Sequence, residues 1–202
     1  MFYVNLKYLK RKVFTVDKIS VIVPCFNEED VLPLFYQEVT KVLESIENTT
    51  YELLFINDGS SDHTEDLIKL MAHKNKQCFY YSFSRNFGKE AAMYAGLENA
   101  TGDYVVIMDA DLQHPPYLLK EMYHSLKEEN YDCCAGKRID RTGEGKLRNF
   151  LSHSFYKVIQ TLTKMDMDDG AGDFRMMTRQ MVDAILELKE YNRYMKGLFS
   201  FV

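Results

Sequence analysis

Short apolar runs that end in polar loops recur along the chain and restrict its fold. They cover residues 19–23, 51–56, 78–83, 104–108 and 131–135. The run at 104–108 is rich in β-branched and aromatic residues and does not alternate with polar ones, as is typical of a strand covered on both faces. Strands of this kind belong to sheets flanked by helices, so the pattern predicts a buried parallel sheet.

Helical patterns separate the predicted strands. Apolar residues recur at helical spacing over 31–46, 64–73 and 90–99. Pro24 is predicted to end the first strand, and Pro115 and Pro116 are predicted to open a fourth helix that ends near residue 129. This alternation predicts an α/β fold with a doubly wound, mostly parallel sheet and right-handed connections.

The second half of the chain has a less regular pattern. Residues 138–148 form a basic, glycine-containing loop, and an amphipathic helix is predicted over 147–162. A short strand near 173–177 and a last helix near 179–189 follow. The amphipathic stripe is compatible with core packing or with contact to a membrane surface.

Two carboxylates one residue apart, Asp109 and Asp111, follow the apolar run at 104–108. In open α/β sheets ligands bind outside the carboxyl ends of the strands, so these residues are expected where a substrate binds. Hard oxygen ligands at an open site suit Mg²⁺ or Mn²⁺, with water and substrate phosphates filling the other positions. An acidic loop or a helix cap is the alternative interpretation of the triplet alone.

Composition excludes several classes of protein. The chain has 202 residues, 46% of them hydrophobic and 27% charged, which is the composition of a globular domain. A net charge of -5 gives no nucleic-acid footprint, so no nucleic-acid partner is expected. The four cysteines lack metal-ligand spacing and are expected to be reduced. A Rossmann-type dehydrogenase is disfavoured because no GxGxxG follows the first strand.

The ends of the chain lead to two expectations about its organisation. Residues 1–18 are expected to be a basic N-terminal extension, and residues 19–202 one catalytic domain. No uninterrupted apolar run reaches the roughly 18 residues of a membrane span. The sequence turns apolar again at 197–202, where we expect a truncation before C-terminal membrane segments.

Five motifs follow one another along the chain: VIVPCFNEE, INDGSSDHT, SRNFGK, DADLQHPP and AGDFRMM. Together they resemble the motifs of family 2 glycosyltransferases of GT-A fold, and the match runs from residue 19 to about residue 197. The resemblance is greatest to the branch that transfers a sugar from a nucleotide donor to a polyprenyl phosphate, such as dolichol-phosphate mannose synthases and bacterial undecaprenyl-phosphate glucosyltransferases.

The resemblance implies roles for particular residues. A metal would be held by Asp109, Asp111 and Gln113. The catalytic residues would be Asp173, Arg175 and Asp111, with Asp173 on the acceptor side. The polyprenyl phosphate or the leaving diphosphate would meet Arg138 and Arg148. The donor site would be formed by Pro24, Asn27, Glu28, Asp58, Arg85, Lys89, Asp109 and Ala110.

The resemblance also implies an activity, an inverting transfer that depends on Mg²⁺ or Mn²⁺. The donor would be a nucleotide-diphosphate sugar, a UDP-sugar more than GDP-mannose, and the acceptor a polyprenyl phosphate at the cytoplasmic face of the membrane. The product would serve cell-envelope glycan decoration, and a homo-oligomer is compatible with the sequence. The alternatives are a family 2 enzyme with a saccharide hydroxyl acceptor and a catalytically silent module that binds a nucleotide sugar.

Overall fold

Strands and helices alternate through residues 16–137 and 171–188, the part of the chain that the computed structural model describes. In chain order the elements are β1 (Asp17–Cys25), α1 (Leu32–Glu44), β2 (Thr49–Asn57), α2 (Thr64–Lys74), β3 (Cys78–Ser82), α3 (Lys89–Asn99), β4 (Tyr104–Ile107), α4 (Leu118–Glu129), β5 (Cys133–Lys137), β6 (Ala171–Thr178) and α5 (Arg179–Glu187).

These elements form a six-stranded sheet in the order β3-β2-β1-β4-β6-β5. Strands β1 to β4 are parallel to one another, whereas β6 runs antiparallel to both β4 and β5. The predicted α/β fold with a mostly parallel sheet is confirmed. The antiparallel β6 lies between β4 and β5, a position that the sequence pattern did not predict.

Helices cover both faces of β1, β2 and β4, which explains why these strands are apolar on both sides, whereas the edge strand β3 is mostly exposed. One core joins α1, α2 and α4 to alternate residues of the strands, including Val21, Phe55 and Val106. The other joins α3 and α5 to the intervening residues, including Ile22 and Ile107. Gly96 lets α3 approach β1 closely, because a Cβ there would lie 2.2 Å from the Ile22 side chain.

The first strand does not end at Pro24 as predicted but continues to Cys25. Ile22 O accepts from Met108 N on the β4 side, and Cys25 O accepts from Asp58 N on the β2 side. By this alternation position 24 faces β4, beyond the last β1–β4 pair at Ile22. The N–H that proline lacks would therefore have no ladder partner, and the strand tolerates it.

The prolines before α4 also differ from the prediction. The helix begins at Leu118, and Pro115 and Pro116 lie in the turn that precedes it. Leu118 N donates to Pro115 O at 3.1 Å and Leu119 N to Pro116 O at 3.0 Å, so each proline supplies a carbonyl to the entering turn. Proline carbonyls remain good acceptors although the ring removes the donor.

A buried polar cluster ties the strands together at the amino edge of the sheet. Ser20 Oγ donates to Glu52 Oε1 at 2.6 Å, and Thr101 N donates to the same oxygen at 2.7 Å. The Lys18 ammonium forms an ion pair with the other Glu52 oxygen, and Gly102 N donates to Ser20 Oγ at 2.8 Å. These contacts satisfy a carboxylate that is only 3% exposed, as a buried charge requires.

Several predicted features lie outside the described residues. They are most of the N-terminal extension, Arg138 and Arg148, the amphipathic helix at 147–162, and the apolar residues 197–202. Within residues 16–137 and 171–188, no helix combines the length and apolar character needed to cross a membrane.

Candidate active site at the carboxyl edge of the sheet

The loops that follow β1, β2, β3 and β4 meet at one edge of the sheet, together with the first residues of β6. The antiparallel register pairs Ile107, the last residue of β4, with Arg175, so continuing it two residues beyond the end of β4 sets Asp109 opposite Asp173. Chain direction alone therefore brings together two acidic residues that are far apart in sequence. They share a partner, because Lys89 Nζ lies 2.8 Å from a carboxylate oxygen of each.

Lys89 occupies the first position of α3, where it joins the two carboxylates. Burial lowers the pKa of this lysine, but the hydrogen bonds and charges of Asp109 and Asp173 outweigh burial and raise the pKa above its ordinary value. The side chains of Lys89, Asp109 and Asp173 are 41%, 28% and 17% exposed, so this bridge borders solvent. The sequence placed Lys89 beside the donor site but gave no sign of this bridge.

The turn that contains Asp109 and Asp111 is shaped by one left-handed residue and by a hydrogen bond to the Asp111 side chain. Leu112 has a positive φ of 56°, an uncommon conformation for leucine, and Gln113 N donates to Asp111 Oδ1 at 3.0 Å. The Ala110 side chain is 1% exposed and packs into the core beneath the turn. A donor would therefore meet Ala110 through its backbone, while Asp111 and Gln113 remain exposed.

Asp58 fixes the loop that follows β3. The carboxylate is 3% exposed, and its two oxygens accept from Phe87 N at 2.7 Å and Gly88 N at 2.9 Å. Gly59 allows the close approach, because its φ is +68° and a Cβ there would lie 2.4 Å from the Arg85 carbonyl carbon. Asp58 thus shapes the predicted donor site through the backbone of its neighbouring loop.

Asn27 connects the loop after β1 to the loop after β2. Its backbone is left-handed, with φ at 56°, a conformation that asparagine tolerates. Asn27 N donates to Ser60 Oγ at 3.0 Å, and its side-chain oxygen accepts from Ser61 N at 2.8 Å. The next residue is anchored as well, since Glu28 N donates to Thr64 Oγ1 at 2.7 Å.

A cavity of about 200 Å³ opens between these loops. Burial raises the pKa of the Glu28 carboxyl at its edge, and the charges of Asp111 and Asp109 raise it further. Burial likewise raises the pKa of the Cys25 thiol well above its usual range, so this cysteine is neutral at physiological pH. The lining residues are Pro24, Cys25, Phe26, Glu28, Asp58, Asn86, Gly88, Lys89 and Ala92.

Two predicted site residues, Arg85 and Arg175, do not line the cavity. Arg85 is exposed, and its guanidinium stacks over the Phe87 ring at 4.1 Å from the centroid. Arg175 is only 6% exposed within the sheet, where burial lowers its pKa and the charges of Cys133 and Asp173 oppose that effect. Arg175 is therefore a buried residue of β6, two positions along the strand from Asp173.

The donor set at Asp109 and Asp111 fits a divalent cation that also binds substrate. Burial raises the pKa of Glu28, and the charges of Asp111 and Asp109 raise it further, as expected where several carboxylates share one edge of a sheet. Among residues 16–137 and 171–188, no three His, Cys, Asp or Glu side chains gather as a metal site. Mg²⁺ and Mn²⁺ commonly take one or two carboxylates and complete their shell with water and phosphate oxygens. The residues present therefore fit such a shared site.

Sequence reasoning missed some lining residues and several supporting contacts. Phe26, Asn86 and Ala92 line the cavity, and the first of them lies between two residues that were predicted. Asp62 also supports the edge, since its carboxylate accepts from Glu29 N at 3.2 Å and Thr64 N at 3.0 Å. The sequence predicts Ser61 or Asp62 as the cap of α2, and the Asp62 carboxylate does accept from the first N–H of that helix, Thr64 N.

Solved structures with the same architecture are glycosyltransferases of GT-A fold. Glucosyl-3-phosphoglycerate synthase from Mycobacterium tuberculosis, solved with Mn²⁺, UDP-glucose and phosphoglyceric acid, aligns with a TM-score of 0.60 and 21% identity, over 91% of this chain and 68% of that one. A mannosyltransferase from Pyrobaculum calidifontis, solved with GDP-mannose and Mn²⁺, aligns with a TM-score of 0.59 and 19% identity, over 84% and 46%. At such identities the likeness establishes the fold.

The chain belongs to Glycosyl transferase family 2, whose profile it matches over residues 20–186. It is 46% identical to Bacillus subtilis CsbB, a provisionally assigned glycosyltransferase, over 184 residues that are 91% of this chain and 55% of the relative. It is 40% identical to the bactoprenol glucosyl transferase of Shigella phage SfX over 185 residues, 92% of this chain and 60% of the relative. The chain thus spans little more than half the length of these relatives.

Proposed function

We propose that this chain is the catalytic part of an enzyme that transfers a hexose from a nucleotide-diphosphate sugar to a polyprenyl phosphate. One observation carries the proposal: Asp109, which follows β4, and Asp173, which lies in β6, both bind Lys89, a residue that lines the cavity between the loops. The relatives named as bactoprenol glucosyl transferases support a lipid phosphate acceptor and a glucosyl donor. The similarity to bactoprenol glucosyl transferases favours a UDP-sugar as the donor, while solved structures of the same fold bind UDP-glucose in one case and GDP-mannose in another.

On the donor side, several of the predicted residues would have distinct roles. The nucleoside would lie in the cavity between Pro24, Glu28 and the loop that Asp58 holds. Asp109 and Asp111, with Gln113 beside them, would hold Mg²⁺ or Mn²⁺ against the diphosphate. When bound, that ion would neutralise negative charge on the leaving diphosphate as a Lewis acid.

On the acceptor side, the chemistry does not require a strong base. A phosphate monoester has its second pKa near 6 and is largely dianionic at pH 7. Its oxygen would attack the anomeric carbon from the face opposite the leaving group, so the new C–O bond forms as the bond to the diphosphate breaks and the configuration inverts. Asp173, hydrogen-bonded to Lys89 at 2.8 Å, would orient the site. Proton removal by Asp173 would be secondary.

The location of the reaction follows from its proposed substrates. A polyprenyl phosphate stays in the bilayer while a nucleotide sugar is water-soluble, so the two meet at a membrane surface. We propose the cytoplasmic face. Arg138 and Arg148, which lie outside the described residues, stay predicted contacts to the lipid phosphate or the leaving diphosphate.

The test is to incubate the protein with UDP-[¹⁴C]glucose, Mn²⁺ and undecaprenyl phosphate, and to extract with organic solvent. The proposal expects label in the organic phase with wild type and at least about a hundredfold less with Asp111→Asn, as expected when one stabilising group of the transition state is lost. Asp66→Asn, which makes the same chemical change on the exposed face of α2, should behave as wild type. In a parallel incubation that offers a saccharide instead of undecaprenyl phosphate, transfer of label to that saccharide would support a hydroxyl acceptor, and no turnover of any donor would support a silent module.

A further inference from the structure

The ammonium of Lys89 occupies an unusual position for a cation. It stands at the first residue of α3, where the helix dipole and free N–H groups disfavour positive charge. Two carboxylates compensate for this, since Asp109 Oδ2 and Asp173 Oδ2 each lie 2.8 Å from Nζ. These charge-assisted hydrogen bonds connect the carboxyl end of β4 to the beginning of β6 through one side chain.

The oxygen that Lys89 holds belongs to a predicted metal ligand. A cation that binds Asp109 Oδ2 must share this oxygen with the ammonium or displace the ammonium, because two positive charges at one oxygen repel each other. The surroundings favour a second positive charge, since Asp111 and Asp109 already raise the pKa of Glu28 beyond the effect of burial. Lys89 is 41% exposed along its side chain, so it has room to move away.

We propose that Lys89 is a resident cation that makes divalent metal binding depend on the donor. Without nucleotide, its ammonium competes for Asp109. When the diphosphate arrives it brings negative charge that accepts the ammonium, and Asp109 then becomes available to the metal. Lys89 is thus a positioning residue that couples donor and metal occupancy while it stays paired with Asp173. This inference rests on the proposed donor site.

The test is a titration with Mn²⁺, in which the signal of free Mn²⁺ is followed by electron paramagnetic resonance with and without UDP. Lys89→Met removes the ammonium and keeps a linear side chain, and Lys89→Gln is a second variant in case the first does not fold. Lys74→Met makes the same charge change at the exposed end of α2, at the opposite edge of the sheet. Circular dichroism spectra that match wild type establish that each variant is folded.

Without nucleotide, we expect the Lys89 variants to bind Mn²⁺ about tenfold more tightly than wild type, a factor that corresponds to roughly 1.4 kcal/mol. This is near the low end for a hydrogen bond to a charged group. UDP should improve Mn²⁺ affinity by a smaller factor in the Lys89 variants than in wild type. Lys74→Met should match wild type in both measurements.

Equal or weaker Mn²⁺ affinity in both Lys89 variants would overturn the inference. So would a gain of the same size in Lys74→Met, because that would show a general effect of net charge. The measurement is independent of turnover. Failure to transfer glucose to undecaprenyl phosphate would refute the proposed acceptor and leave a Mn²⁺ gain in the Lys89 variants standing.

Discussion

Replacement of Asp58 by asparagine tests whether this residue holds the loop after β3. The carboxylate accepts two backbone N–H groups, Phe87 at 2.7 Å and Gly88 at 2.9 Å, and it is 3% exposed. An asparagine side chain has one acceptor oxygen, so its NH₂ group would face one of the two donors. Hydrogen bonds to a charged group contribute about 1.5–3 kcal/mol, and we expect Asp58→Asn to lower the free energy of unfolding by about 2 kcal/mol.

The loop borders the proposed donor cavity, so the same substitution should weaken nucleotide binding. Urea denaturation would give the free energy of unfolding, and calorimetry with UDP and Mn²⁺ would give the dissociation constant, expected to rise about tenfold or more. Asp66→Asn is the matched control. The Asp66 side chain is 77% exposed and its ion-pair contact is with exposed His63 at 3.5 Å, so its loss should cost less than about 0.5 kcal/mol.

Two results would refute this reasoning. If Asp58→Asn unfolds within about 0.5 kcal/mol of wild type and binds UDP equally well, the two hydrogen bonds do not hold the loop. If stability is unchanged and only nucleotide affinity falls, Asp58 acts by direct contact with the donor. The second result would return Asp58 to the role that the family resemblance implies.

The remaining predictions concern stability. Gly96→Ala should cost about 1–3 kcal/mol in thermal or urea unfolding, because the added Cβ would lie 2.2 Å from the Ile22 side chain and α3 would have to move; an unchanged midpoint would contradict the packing. Glu52→Gln should cost about 2–4 kcal/mol near pH 7, since it removes the charge that pairs with Lys18 inside a hydrogen-bonded cluster. Burial raises the pKa of Glu52, but the hydrogen bonds from Lys18, Ser20 and Thr101 outweigh it and leave the pKa lowered. Its contribution is therefore present above the ordinary value of 4.5 and lost as the pH falls through the lowered value. Urea unfolding of wild type and Glu52→Gln should converge at acid pH, and a constant difference from pH 7 to pH 3 would contradict this.

Much of the fold could be predicted because each of β1 to β4 is an apolar run followed by a polar loop and a helical pattern. That repeat indicated parallel strands and therefore that the polar loops share one edge of the sheet. The position of the antiparallel β6 could not be predicted in the same way. The sequence of residues 173–177 indicates neither the direction of the strand nor the strands it pairs with. Pro24 was wrongly predicted to end β1, since its effect depends on which neighbouring strand its position faces.

The position of Asp58, Asp109 and Asp111 at this edge could be predicted, because each lies within a few residues of the end of a strand. Partners that depend on distant contacts could not. The Lys89 bridge joins residues 84 positions apart through the antiparallel strand, and Asp58 faces the backbone of a loop 29 residues away. Glu52 gave a usable signal that was missed, because a charged residue inside an apolar strand needs buried partners.

The measurement that bears most directly on the donor site is calorimetry of UDP-glucose with protein stripped of metal, repeated after addition of Mn²⁺. If Asp109 and Asp111 hold a cation against the diphosphate, wild type binds UDP-glucose at least about tenfold more tightly with Mn²⁺, and Asp111→Asn loses this gain while Asp66→Asn keeps it. Equal affinity for UDP-glucose with and without Mn²⁺, or a full Mn²⁺ effect in Asp111→Asn, would contradict a metal-assisted donor site at this edge of the sheet.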